Sequence, residues 1–101
     1  MADNVQQRLG QPDGNQQAFR EHNRRRARIE QQAGTPRDEA VPFVCECADP
    51  SCARPVEVPL GEYERALRTS DRFVVLPGHE DPAAEVVERH EGYLVVSKPP
   101  P

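Results

Sequence analysis

The stretch Phe43-Val44-Cys45-Glu46-Cys47-Ala48-Asp49-Pro50-Ser51-Cys52 holds all 3 cysteines of the chain. Phe43 to Cys45 reads as a short strand, and Asp49-Pro50-Ser51 supplies turning residues after it. The chain can therefore fold back and bring three sulfurs together. A C-x-C pair in an extended strand holds its sulfurs apart, so convergence requires a turn at Glu46 or just after it. Three converging cysteines are three-quarters of a tetrahedral zinc site, which takes Cys sulfur and His nitrogen and closes with four ligands.

The fourth ligand is expected from a histidine. His79 stands first, because it follows an apolar run in the turn Pro77-Gly78-His79-Glu80, where Gly78 permits close backbone approach. His90 stands second, at the end of an expected helix, where an imidazolium is favourable without any metal. Asp49 or water are the remaining alternatives. Two other readings of the cysteines compete with metal. Reduced cysteine can serve as a small buried hydrophobe, but a polar turn is an odd place to build a core. A thiol redox switch needs exposed, low-pKa thiols, and the neighbouring Glu46 and Asp49 would raise them. A catalytic zinc is disfavoured. The deaminase pattern is absent, H-E-x-x-H fails at Ala83, and three thiolates blunt the Lewis acidity of the ion. The expectation is a non-enzymatic, zinc-stapled protein.

Outward from this stretch, size supports a staple. With 101 residues the chain makes one domain at most. Before Val41 the apolar side chains larger than alanine are Met1, Val5, Leu9, Phe19 and Ile29, too few to enclose anything. The foldable part is residues 41–98, below the roughly 70–80 residues at which a core alone suffices.

Residues 1–14 are rich in Gln, Asn, Asp and Gly and read as a disordered tail. A helix is expected over about 15–32, capped by Asp13 or Asn15, supported by a Glu21–Arg25 pair, and stopped by Gly34 and Pro36. Its best face, Phe19, His22, Arg26 and Ile29, is only half apolar. The helix is therefore expected to attach loosely, so that residues 1–40 are separable and carry the partner contact through Phe19, Arg20, Arg24, Arg28 and Ile29. After the cysteines, Val56-Glu57-Val58 marks a half-buried strand over 55–60. Tyr63, Ala66 and Leu67 mark a helix over 61–69. Phe73 to Leu76 is a strand. Asp81 and Pro82 resemble a helix start, with Gly92 ending that helix after His90. Tyr93 to Val96 is the last strand and should lie beside 73–76, and residues 99–101 are a proline tail. The expected architecture is α+β, in the order β-knuckle-β-α-β-α-β, preceded by the loose helix.

The net charge of −4 is uneven. Residues 1–40 carry seven Arg against six acids, and residues 41–101 carry six basic against eleven acidic residues. An acidic folded part argues against broad duplex binding. Arg20, Arg24, Arg25, Arg26 and Arg28 keep nucleic acid as a less favoured partner than protein, although an Arg-rich bias is also what a GC-rich genome produces. No apolar stretch approaches the roughly 20 residues needed to cross a bilayer, and the first residues lack a secretion signal. A cytoplasmic location is expected, where clustered cysteines read as metal ligands and not as a disulfide framework.

With these residues in view, the chain resembles a family of small uncharacterised proteins seen mostly in actinobacteria. The resemblance rests on Phe43-Val44-Cys45-Glu46-Cys47 with Asp49 and Cys52, on Leu60-Gly61-Glu62-Tyr63-Glu64, on Pro77-Gly78-His79-Glu80, and on Val86 to Val96. Phe19-Arg20-Glu21 is similar to the start of a family helix that usually has apolar residues where this chain has His22 and Arg26. The resemblance implies the fold unit over residues 43–97 and adds no mechanism.

Overall fold

The computed structural model describes residues 13–49 and 51–98, with residues 13–15 described through their backbone alone. The capping side chains expected of Asp13 or Asn15, and the expected tails over 1–12 and 99–101, lie outside what is described, while residues 13 and 14, expected in the tail, belong to a helix. The elements are α1 (Asp13–Gln32), β1 (Ala40–Val44), β2 (Pro55–Pro59), α2 (Leu60–Leu67), β3 (Arg72–Val75), β4 (Glu85–His90) and β5 (Tyr93–Ser97). The class is α+β, with two small antiparallel sheets.

The first sheet is the β1–β2 hairpin, in which Val41 pairs with Val58 and Phe43 with Val56. These four side chains are buried while Pro42 and Glu57 face out, the period-two alternation of a sheet with one covered face. Leu60, Tyr63 and Ala66 of α2 complete that core, and the Tyr63 ring stacks on Phe43 at 4.1 Å between centroids.

The second sheet has the order β3-β5-β4. Phe73 pairs with Val96 and Val75 with Leu94, so the two apolar runs lie side by side. They are continuous because both faces are covered. Val74, Tyr93 and Val95 join the Tyr63 core, and Phe73, Val75, Leu94 and Val96 pack with Cys45 and Cys47.

The helix expected over 81–90 is a turn followed by a strand. Asp81 Oδ1 accepts the Ala83 N–H at 2.9 Å, and the Asp81 carbonyl accepts the Ala84 N–H at 2.9 Å. That single turn gives way to β4, which pairs His90 with Tyr93 and Glu85 with Ser97 across a bulge between Val86 and Glu88. Gly92, at φ +90°, closes the Glu91-Gly92 turn of this hairpin. Cap-like residues and a left-handed Gly fit a helix or a hairpin equally. The free edge of β5 and the β-branched pair Val86-Val87 decide for the strand.

The loosely attached helix is also corrected. The buried face of α1 is Gln16, Arg20, Asn23 and Ala27, each no more than 3% exposed, at the i, i+4, i+7, i+11 spacing of one helical stripe. The expected face is rotated away from it: Phe19 and Arg26 are half-buried, and His22 and Ile29 are exposed. The docking stripe was missed because it is polar. Among the described residues the ion pair within α1 is Arg26–Glu30 at 2.9 Å, not Glu21–Arg25. The helix ends in paired bonds, Gly34 N–H to the Gln31 carbonyl and Thr35 N–H to the Glu30 carbonyl, with Gly34 at φ +81°, the arrangement that satisfies last-turn carbonyls. The following loop is tied to α2, since the Arg37 carbonyl accepts the Gly61 N–H at 2.8 Å.

Candidate metal centre

The cysteine segment leaves β1 and forks between the two sheets. The Cys45 N–H donates to the Arg54 carbonyl at 2.8 Å, extending the β1–β2 ladder by one step. The Glu46 N–H then donates to the Val74 carbonyl at 2.8 Å, which seats the segment on the outer edge of β3. Cys45 and Cys47 turn toward Leu94 and Val96, and the Glu46 carboxylate turns the other way, toward Tyr63. Asp49 then builds a side-chain turn, with its Oδ1 accepting the Ser51 N–H at 2.9 Å and the Ser51 hydroxyl at 2.8 Å. Ala53, at φ +44°, reverses the chain in a conformation costly for a residue with a Cβ.

His79 arrives from the other sheet. After β3 the chain turns at Pro77-Gly78, where Gly78 has φ +89° and donates its N–H to Glu80 Oε1 at 2.8 Å. The His79 N–H donates to the Leu76 carbonyl at 2.9 Å. The imidazole is thereby aimed at the cysteines, with Nδ1 at 3.4 Å from Cys52 Sγ and 3.9 Å from Cys45 Sγ.

Cys45, Cys47, Cys52 and His79 offer four ligand atoms that all lie within 4.8 Å of one another. A tetrahedral ion with metal–sulfur bonds of about 2.3 Å and metal–nitrogen bonds of about 2.0–2.1 Å has S···N edges of about 3.6 Å. The observed separations bracket that edge, so the four residues can hold a metal ion. Cys45 and Cys47 are buried and Cys52 and His79 are half-buried, and Cys47 and His79 line an open groove of about 470 Å³.

Burial pushes the Cys45 thiol up to about 12 and also raises Cys47, so a metal ion binding here would displace protons from these sulfurs. The Leu76 N–H points at Cys45 Sγ at 3.3 Å, an outer donor of the kind that stabilises a ligating thiolate. The alternative ligands are placed elsewhere. His90 stacks on Tyr93 at 4.4 Å and lies 2.7 Å from Glu88 Oε1. The Asp49 carboxylate is turned to Ser51, whose N–H and hydroxyl hold its carboxyl below the usual range.

Glu46, between two candidate ligands, is expected from the sequence only as a turn residue and a neighbouring charge, and the fold buries it instead. It is 1% exposed and carries a closed set of partners. Its carboxylate accepts from Asn23 Nδ2 at 2.9 Å, from the Val74 N–H at 2.9 Å and from the Tyr63 hydroxyl. Its carbonyl accepts from Gln16 Nε2 at 3.2 Å. Burial pushes the Glu46 carboxyl up, and the donors Asn23, Tyr63 and Val74 N–H pull it back. The available signal was the coincidence of Asn and Gln at helical spacing with a lone carboxylate in an apolar segment.

The residues expected to meet a partner are divided by the fold. Arg20 is buried and spends its guanidinium internally, on the carbonyls of Thr69 at 2.8 Å and Ser70 at 3.2 Å just after α2 and on that of Arg72, the first residue of β3. It also lies 5.0 Å above the Phe73 ring. Phe19 is half-buried, Arg24 and Arg28 are exposed, and Ile29 is 60% exposed. No helix among the described residues is long and apolar enough to cross a membrane. No family model, curated protein or solved structure matches the chain.

Proposed function

We propose that this chain is a non-enzymatic, zinc-stapled interaction module with a regulatory role in the cytoplasm. The observation that carries the reading is the convergence of Cys45, Cys47, Cys52 and His79 from two sheets onto one point. Zinc is the ion that three thiolates and one imidazole suit, and with all four positions taken by protein no open position remains for a substrate. The role is structural because the ligands tie the β1–β2 knuckle to the β3–β4 loop. The surface offered to a protein partner is the outer side of α1, which carries the exposed Arg25 and Arg28 and Ile29, the exposed large hydrophobic among the described residues, with Arg24 exposed at its flank.

Elemental analysis and native mass spectrometry of the purified chain test the staple. One zinc per chain is expected, lost in Cys45→Ser and in His79→Ala and kept in His90→Ala, which removes the stack on Tyr93, worth about 0.5–1.5 kcal/mol, and the contact with Glu88 but no candidate ligand. A stably folded wild-type chain without metal overturns the reading. Pull-down with the wild-type chain and with Ile29→Ala tests the partner surface, and capture of salt-sensitive nucleic acid in place of protein would overturn that half of it.

A further inference from the structure

We propose that the metal centre and the seating of α1 are one coupled unit, so that filling the site locks the helix down and losing the ion releases it. This inference rests on the reading that the four ligands take a metal. Its basis is the position of Glu46. No residue intervenes between the ligands Cys45 and Cys47 and the residue that receives α1.

Gln16 donates to the Glu46 carbonyl at 3.2 Å and Asn23 to its carboxylate at 2.9 Å. Asn23 also bonds both polar groups of Val44, the residue before Cys45. An ion that fixes the Cys45 and Cys47 sulfurs fixes the path of the backbone between them, and so sets where the Glu46 carbonyl and carboxylate point. The stripe of α1 that reads this path is polar, and hydrogen bonds fail with small displacements in a way that apolar contacts do not. A knuckle that relaxes without its ion leaves Gln16 and Asn23 as buried donors without acceptors, a cost that undocking into water removes. Release of the helix would make its presentation to a partner depend on the metal state of the knuckle.

Such coupling is reciprocal: if the ion favours the docked helix, the docked helix tightens the ion by the same factor. The test is therefore zinc affinity of the full chain, measured by competition with a chromophoric chelator, in variants that touch no ligand. Asn23→Ala and Gln16→Ala are expected to weaken zinc binding about 5–20-fold, within the ordinary span of coupled sites. Arg28→Ala and Ile29→Ala, on the outer side of α1, should change it less than about twofold, the scatter expected when no coupling is lost. In parallel, hydrogen exchange should show α1 amides gaining protection on addition of zinc. Unchanged zinc affinity in both inner variants overturns the inference, as does equal α1 exchange with and without zinc. If Asn23→Ala does not fold even with zinc, Gln16→Ala decides the affinity arm, because it removes one hydrogen bond. If the metal-free chain unfolds throughout, the affinity arm alone decides. Absence of zinc binding by the wild-type chain is a different result, and overturns the staple itself.

Discussion

Asn23 of α1 and Val44 of β1 exchange two hydrogen bonds, from Asn23 Nδ2 to the Val44 carbonyl at 2.7 Å and from the Val44 N–H to Asn23 Oδ1 at 2.8 Å. A side-chain amide here does what a neighbouring strand would do, satisfying one residue's donor and acceptor at the edge of β1. The same Nδ2 also reaches Glu46 Oε2. Asn23 and Glu46 are buried and Val44 is half-buried, so these groups have little water to fall back on.

Asn23→Ala should destabilise the chain by about 2–4 kcal/mol, since it removes the bonds and leaves Val44 and Glu46 with buried unmet demand. Chemical denaturation of the zinc-loaded protein checks this. A loss below about 0.5 kcal/mol, the range of an ordinary surface substitution, would show that the amide bridge is not formed in solution.

Arg20 performs the matching task at the end of α2. Its guanidinium faces the last carbonyls of that helix and of the turn behind it, where a cation also complements the helix dipole. Arg20→Lys keeps the charge and loses the planar fork that reaches several acceptors at once. A cost of about 1–3 kcal/mol is expected, read as a lower denaturation midpoint with an unchanged slope. Equal stability of the Lys variant would show that charge alone suffices there.

Legibility in the sequence followed the locality of the signal. Phe73 to Leu76 and Tyr93 to Val96 were readable as paired strands because a continuous apolar run needs cover on both faces. The clustering of Cys45, Cys47 and Cys52 with His79 was readable because few side chains in the chain carry that chemistry, and the Pro77-Gly78 turn places the imidazole just beyond a core strand. The α1 face was not readable from apolar periodicity. Phe19 and Ile29 drew attention to the wrong side, while the docking side is a polar stripe whose acceptors, Glu46 and the end of α2, lie 23 or more residues away in the chain. Strand β4 was hidden for a similar reason: Asp81-Pro82 and Gly92 are local signals with two meanings, and the choice belongs to β5, which pairs with it only in the fold.

Glu88 gives a pH dependence whose sign is fixed by its partners. Arg65 first, and then His90, hold its carboxyl below the usual range through hydrogen bonds. A carboxyl with a depressed folded pKa contributes stability that is present above its unfolded value of about 4.3 and lost as pH falls through the folded value. Wild type should therefore be more stable than Glu88→Gln at pH 7, and the two denaturation midpoints should converge as the pH is lowered below about 4. A gap of constant size between pH 7 and pH 2.5 would mean that Glu88 acts through shape and not through charge.

The last expectation concerns the helix as a whole. A chain of residues 41–101 retains all four candidate ligands and both sheets, and on apolar content alone it should stand by itself. The hydrogen bonds argue otherwise. Removing α1 uncovers the Glu46 carbonyl and carboxylate, opens both polar groups of Val44, and takes the Arg20 fork from the end of α2. It also bares the apolar surface beneath Ala27. Water can replace some of these bonds, but the side of the knuckle that faces α1 then loses its packing. The truncated chain should unfold at a markedly lower denaturant concentration than the full chain, with zinc present in both. A synthetic peptide of residues 13–32 added in trans should recover part of the difference, and the same peptide with Asn23→Ala should recover less. Truncation without loss of stability would return α1 to the status of a separable arm, and its buried polar stripe would then be a surface awaiting another protein.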